Sequence, residues 1–403
     1  MPAPLNMAIR YGNPDFLDLP WDLPISQWQG HCDRLQELPR GLSRHPVVFV
    51  NYDGRLYAIK EMPNGVAEKE YNLLQKMEEL RIPAVMPIGH LKTELPGVRQ
   101  ASVLITSYLD HSLPYRSLFI HGSHDSYREH LLDAIASLLV QLHLAGVYWG
   151  DCSLSNTLFR RDAGYLQAYL VDAETGEYTG QELLPEDRHQ DLVIMEENIT
   201  GDLIDLETVG LLSASRVSEG VPLDDTGAYI RLRYQQLWEE ITREVIISPN
   251  EHYRIQERIR AMNELGFSVG EVELSGGEGA NLLHLRVVVT DRNFHRDQLF
   301  GLTGLEVEEK QAVKMMNEIH EVKATLSQAD NRSTPLSVAA YYWLEQIYGP
   351  MIDLLKPLTN SQMNLAELYC QMLEHKWYLS EQARRDVGHQ FATLDYIQRF
   401  SPQ

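Results

Sequence analysis

The 403-residue chain is poor in three things, and each shortage removes a class of function. Its cysteines, Cys32, Cys152 and Cys370, are odd in number and far apart, which argues against a disulfide framework and fits reduced thiols in a cytoplasmic protein. No apolar run is long enough to cross a bilayer, and the first residues, Met-Pro-Ala-Pro-Leu-Asn, lack a basic region followed by an apolar core, so neither a membrane span nor a signal peptide is expected. Positive charge is scarce: 35 Lys and Arg face 57 Asp and Glu, a formal net charge of −22. Binders of phosphate backbones or anionic membranes need a basic face, so nucleic acid is not expected as the main partner. What remains is a globular composition, 44% hydrophobic and 23% charged, in a chain long enough for two domains.

Residues 1–30 carry five prolines and scattered aromatics such as Trp21 and Trp28, and read as an extended arm packed on a domain. From Leu35 the pattern turns to strands: Leu35–Leu38, Val47–Asn51 and Arg55–Lys60. The last two are joined through Asp53-Gly54, a hairpin signal because Gly accepts positive φ without steric cost. This predicts a three-stranded antiparallel start. Lys60 closes the apolar segment Tyr57-Ala-Ile-Lys60. In the helical pattern Ala67–Met77, Glu70 precedes Leu73 and Leu74 by helical spacings, so it lies on or near the buried stripe and needs a cationic partner. Lys60 is the natural one, with Glu68 as the alternative carboxylate. A strand over Val103–Leu109 and a helix over Leu131–Ala145 lead to the stretch that carries the chemistry.

That stretch is Gly150-Asp151-Cys-Ser153-Leu-Ser-Asn156, followed by an apolar run that ends at Asp172. A carboxylate, an amide oxygen and a second carboxylate are the groups that phosphoryl transfer needs: one to orient an acceptor hydroxyl and take its proton, two hard oxygen donors to hold Mg2+ against phosphates. Alone, Asp151 and Asn156 also fit a plain turn with a capping Asn. With Lys60, Glu70, Asp151, Asn156 and Asp172 in this order, residues 35 to 210 resemble the protein-kinase-like superfamily. The whole chain is similar to a largely uncharacterised bacterial family labelled lipopolysaccharide-kinase-like, most specifically at Leu299–Leu305 and Leu373–Glu381.

The resemblance implies an α+β, bilobal protein-kinase-like fold, with an antiparallel small-lobe sheet (about 31–110) and a helical large lobe (about 111–215), followed by a mainly helical domain over 220–403 that contains a β-hairpin. It implies ATP and Mg2+ as cofactors, Asp151 as catalytic base, and Asn156 and Asp172 as metal ligands. Lys60 would hold the phosphates, placed by Glu70. Gly41 would belong to the phosphate loop, and the backbone of Ser107, Tyr108 and Leu109 would meet the adenine edge. Expected partners are a nucleotide, a small-molecule or glycan acceptor, and a protein partner bound through 220–403.

Departures from the kinase pattern narrow this. Gly41 stands alone where three glycines are usual, with Ser43, Arg44 and His45 as side chains able to assist. Trp149 replaces the His that commonly precedes the catalytic Asp by two residues, and Gly150 is similar to the aminoglycoside- and choline-kinase-like branch. Ser153 stands where protein kinases carry Lys, and Asp172-Ala-Glu174 replaces Asp-Phe-Gly. Glu174 is either a further metal ligand or a solvated carboxylate; Asp191 is either a brace for the catalytic loop or first-turn helix charge. Cys152 reads as a loop residue before a nucleophile, because no His is close in sequence to activate it. The leading expectation is a phosphotransferase acting on a hydroxyl of a small molecule, glycan or lipid-linked sugar. A nucleotide-binding scaffold comes second and a Ser/Thr protein kinase third.

The carboxyl-terminal half reads as a polar linker over Ser213–Gly227, helices over Tyr229–Val245 and His252–Leu265, a hairpin of Val269–Leu274 with Leu282–Thr290, and three further helices over Val307–Leu326, Leu336–Leu355 and Leu365–Phe400, the last one broken. His375 beside Glu374 and Trp377 reads as a packed cluster rather than an acid-base site, since helix neighbours face different ways. Met315-Met316 reads as core.

Overall fold

The computed structural model describes residues 6–38, 44–93, 101–121, 125–208, 225–248, 251–276, 283–329, 331–360 and 363–400. The linker proposed over Ser213–Gly227, the loop at 277–279 and Gly41 fall wholly or mostly outside these residues. The chain divides into two compact units. The first holds residues up to Phe159 and Ala168–Leu237; the second holds Trp238–Gln403 together with the short segment Arg160–Gln167.

The first unit opens with a six-stranded sheet, order β1-β5-β6-β4-β3-β2, built from β1 (Asn6–Ile9), β2 (Leu35–Gln36), β3 (Val47–Tyr52), β4 (Arg55–Pro63), β5 (Pro87–Thr93) and β6 (Ala101–Ser107). All its pairings are antiparallel, including the predicted β2-β3-β4 start. Asp53 and Gly54 both have positive φ (52° and 84°), as a two-residue turn matched to the strand twist requires. The expected strand through Leu109 stops at Ser107, after which the Tyr108 amide bonds Leu56 O.

The amino-terminal arm is part of this lobe's core. Phe16, Trp21, Ile25 and Trp28 are buried with Val50, Tyr57, Ile59, Leu91 and Ile105, and the Phe16 ring meets Tyr52 and Tyr57 edge-on at 5.1 Å. The alternation of β4 sends Tyr57 and Ile59 into that core and puts Lys60 on the other face. Helix α1 (Val66–Glu79) packs on β5 and β6 and buries Glu70 together with Leu73, Leu74 and Met77.

The large lobe follows: β7 (Leu113–Pro114), α2 (Tyr115–His121), α3 (Asp125–Leu144), β8 (Val147–Tyr148), the hairpin β9 (Thr157–Asp162) and β10 (Tyr165–Leu170), β11 (Glu177–Tyr178) and α4 (Pro185–Thr208). The predicted apolar stripe of α3, Leu131, Ile135, Leu138, Leu139 and Leu142, is fully buried. This antiparallel sheet with one packed helix, joined through Ser107–Leu109 to a helical lobe, is a kinase-like fold.

The second unit contains a three-stranded sheet, order β12-β14-β13, from β12 (Val245–Ile247), β13 (Val269–Gly276) and β14 (Leu283–Val289), with β13 and β14 forming the predicted hairpin. Helix α5 (Thr226–Thr242) spans the division between the units, and α6 (His252–Glu264) ends before Gly266, whose φ is 92°. The bundle adds α7 (Phe294–Thr303), α8 (Glu309–Ala329), α9 (Leu336–Trp343), α10 (Gly349–Leu355), α11 (Leu365–Ala383) and α12 (His389–Phe400). The single helix expected over Leu336–Leu355 is divided by a π-helical turn, Leu344–Tyr348, next to Pro350, which has no N–H to continue the ladder. Its core includes Leu299, Met315, Met316, Trp343, Tyr369 and Cys370, so the two methionines do pack inside.

Candidate active site

Lys60 is the centre of the small-lobe side. Its Nζ lies 3.2 Å from Glu70 Oε2 and 2.8 Å from Asp172 Oδ2, so one cation joins a strand, a helix and the turn after β10. Glu70 is fully buried and also accepts from the Ala173 amide (3.0 Å). Burial pushes its carboxyl up to about 7, against the pull of Lys60 and that amide. Burial also opposes charge on Lys60, but Glu70 and Asp172 outweigh it and hold the ammonium above its ordinary range. Glu68 instead pairs with Lys92 (2.8 Å).

The loop bearing Asp151 is fixed from below by Asp191 of α4. This carboxylate is fully buried and accepts from the amides of Trp149 (2.8 Å) and Gly150 (2.9 Å), with the His143 ring at 3.1 Å. Of its two sequence readings, the brace is the one the geometry supports. His143 in turn meets Tyr234 Oη at 2.9 Å. Gly150 has φ 76°, and a Cβ there would lie 2.9 Å from the Tyr148 ring, so the residue before Asp151 needs to be glycine for two reasons. The indole of Trp149 donates to Asp172 O (3.0 Å), tying the Asp151 loop to the Asp172 turn.

Both oxygens of Asp151 are held by neutral amide donors: Asn156 Nδ2 at 3.1 Å from Oδ2, and Asn198 Nδ2 at 2.9 Å from Oδ1. Asn156 also donates to Asp151 O (3.0 Å), which closes the five-residue loop. With its nitrogen turned to Asp151, the Asn156 side-chain oxygen is the donor left for a metal. Ser153 does not replace a lysine functionally; it is buried, and its hydroxyl caps the turn by accepting from the Asn156 amide (3.1 Å). Cys152 is fully buried and its thiol is pushed well up by burial, which makes it structural and unreactive.

Asn198 and Asp202 were not legible as site neighbours. Asp202 accepts from the Ser155 amide (3.1 Å) and is raised by burial, and both side chains support the loop from α4. A usable signal exists: Asp191, Met195, Asn198 and Asp202 follow i, i+4, i+7, i+11 spacing, one face of a helix.

The Ser107 amide donates to Met86 O and the Tyr108 amide to Leu56 O, both 2.9–3.0 Å. Tyr108 packs edge-on against Phe49 at 5.5 Å. Arg44 Nη2 lies 3.5 Å from Asp151 Oδ2, and His45 Nε2 lies 2.9 Å from Glu174 Oε2, so Glu174 is neither an isolated solvated group nor grouped with Asp172 on the same cation. His375 contacts Asp395 (2.7 Å) and the rings of Tyr396 and Phe400, the packed cluster expected of it. Among the described residues no group of three or more His, Cys, Asp or Glu could hold a metal alone. A Mg2+ shared with phosphates requires no such group, because it keeps phosphate and water ligands and takes one or two from protein; Asp172 and Asn156 are the hard oxygen donors that fit. Also among these residues, no helix is long and apolar enough to cross a membrane.

Residues 54–208 match the family described as lipopolysaccharide kinase (Kdo/WaaP), and residues 236–400 match a domain of unknown function (DUF4032). The first segment, which contains Lys60, Glu70, Asp151, Asn156, Asp172, Asp191 and Asn198, is kinase-like and similar to the lipopolysaccharide kinases. No curated protein matches the chain. Among solved structures, WaaP in complex with acyl carrier protein is 16% identical, covering 58% of this chain and 99% of that one, with a TM-score of 0.35. The BubR1 kinase domain is 12% identical, covering 57% and 84%, with a TM-score of 0.30.

Proposed function

We propose that the kinase-like region transfers a phosphoryl group from ATP, with Mg2+, to a hydroxyl of a small molecule, glycan or lipid-linked sugar. The observation that carries this reading is Lys60 shared between the buried Glu70 and the more exposed Asp172. A purely structural ion pair needs one carboxylate. A second one facing the cleft makes sense where a divalent cation is to be held beside the phosphates that Lys60 contacts.

Each residue then has a defined task. Glu70 fixes the Lys60 ammonium for the nucleotide phosphates. Asp172 and the Asn156 oxygen hold Mg2+, which when bound neutralises charge on the phosphates. Asp151 orients the acceptor hydroxyl and takes its proton at a carboxylate whose two oxygens accept from Asn156 and Asn198, which fixes its orientation. At the hinge, the Ser107 and Tyr108 amides are engaged by Met86 and Leu56, and Leu109 O accepts from the Ser112 amide, so Leu109 N–H is the hinge amide for the adenine edge.

Thermal unfolding with ATP, with and without Mg2+, tests the reading. Ligand at about 100 times its dissociation constant stabilises wild type by roughly 2.7 kcal/mol. Asp172→Ala should lose the Mg2+-dependent part. Asp151→Ala should bind nucleotide yet transfer no phosphate; an unchanged transfer rate removes Asp151 from the base role. A nucleotide-gated scaffold is the second reading, favoured by a second compact unit with its own core that a partner could read. It predicts binding without transfer in wild type as well.

A further inference from the structure

Arg44 and His45 are separated only by Pro46 from β3, whose first residue, Val47, pairs with Lys60 of β4. One end of the β3–β4 ladder therefore presents three nitrogen donors to three carboxylates: Lys60 to Asp172 at 2.8 Å, His45 to Glu174 at 2.9 Å and Arg44 to Asp151 at 3.5 Å. This is the segment in which kinases usually cradle phosphates with glycine amides, and in which this chain is poor in glycine.

We propose that Arg44 and His45 are a side-chain clamp for the terminal phosphates of a nucleoside triphosphate, and that their present carboxylate partners are places they leave when the nucleotide arrives. The inference rests on the reading that this cleft binds a nucleotide. The chemistry fits an exchange of anionic partners. A guanidinium offers a planar fork of donors that matches phosphate oxygens as well as carboxylate oxygens. Arg44 is 81% exposed, and an ion pair of that exposure contributes little, so giving up Asp151 costs little. Arg44 also places a cation beside Asp151, where Ser153 provides none. His45 is mostly buried, which restricts it to the neighbourhood of Glu174 and suits it to an inner phosphate. Departure of Arg44 leaves Asp151 Oδ2 with Asn156 as its remaining donor and opens its second lone pair to an acceptor hydroxyl, so the clamp couples triphosphate binding to unmasking of the base.

The test is calorimetric titration of the full-length protein with ATP, ADP and adenosine in the presence of Mg2+, comparing wild type with Arg44→Ala, Arg44→Lys and His45→Gln. Loss of a hydrogen bond to a charged group predicts roughly tenfold or greater weakening of ATP by Arg44→Ala. ADP should weaken less, adenosine should not change, and Arg44→Lys should recover part of the loss. His45→Gln should weaken ATP and ADP together and spare adenosine. Adenosine binding reports an intact fold in each variant. If all ligands weaken equally, or if the ATP to adenosine ratio stays within about twofold of wild type, the clamp is wrong although the nucleotide reading stands. If wild type binds neither ATP nor adenosine, both fall together.

Discussion

Glu70 in the kinase-like unit and Asp162 in the second unit are both buried carboxylates that desolvation pushes up to about 7, yet their surroundings differ in kind. Glu70 shares the Lys60 ammonium with an accessible partner, Asp172. Asp162 sits at the β9–β10 hairpin tip and accepts from the amides of Lys310 (3.1 Å) and Gln311 (2.8 Å) at the start of α8. Glu367 does the same for Ala163 and Gly164, and Glu309 for His295 and Arg296. In the second unit these acids satisfy the backbone donors of helix starts and a turn. A raised carboxyl does not by itself mark a catalytic centre. A cation shared between a buried and an open carboxylate is the better sign.

If that distinction is right, the most damaging change in the kinase-like unit is at Asp191, which combines backbone amides with a buried His143. Asp191→Ala leaves these donors without an acceptor and should cost about 3–5 kcal/mol, read as a lower urea midpoint. Asp191→Asn should recover part of it. A loss under about 1 kcal/mol would mean that the loop holds its own shape, and that Asp191 belongs with the capping acids of the other unit.

Asp162 should show itself through pH. Its folded pKa lies above the ordinary 3.8, at about 7, so the folded state holds the proton more tightly than the unfolded chain. The stability this protonation contributes is fully present below pH 3.8 and is lost as pH rises to about 7. One such group sets a limiting slope of ~1.4 kcal/mol per pH unit. Protection factors of the Lys310 and Gln311 amides, measured by hydrogen exchange between about pH 5 and 7.5, should fall with rising pH. Asp162→Asn should flatten that dependence. An unchanged slope in the variant would assign the effect to a neighbour such as Glu308.

The sequence carried much of this arrangement where local pattern and chemistry coincide. Lys60 closes the apolar segment Tyr57–Lys60 within β4, Glu70 interrupts the buried stripe of a helix, and Asp151 with Asn156 closes a short loop; each is readable from a few neighbouring residues. The amino-terminal arm shows the opposite case. Trp21, Ile25 and Trp28 have helical spacing, but Pro20 and Pro24 interrupt any regular helix there, so nothing local reveals that the two indoles complete the sheet's core. Asn198 and Asp202 needed the orientation of α4 before their spacing meant anything. The grouping of residues 160–167 with the second unit is a tertiary fact, since nothing local to the β9–β10 hairpin marks where one unit gives way to the other.

The smallest effect should come from the His375 cluster, which has the residue types of an acid-base pair without the setting of one. Asp395 accepts from His375 and from Arg399 (both 2.7 Å), and these partners, His375 first, hold its carboxyl below the ordinary range. A lowered carboxyl contributes stability above its unfolded pKa of 3.8 that is lost as pH falls through the folded value, so at neutral pH the contribution is present in full. Because Asp395 lies near the surface, solvent screening limits it, and Asp395→Asn should cost under about 1 kcal/mol in urea unfolding. Nucleotide binding and phosphate transfer should be unaffected. A loss of transfer without a loss of stability would make this helix pair part of the reaction, and would extend the shared-cation criterion beyond Lys60 to a histidine held between a carboxylate and two aromatic rings.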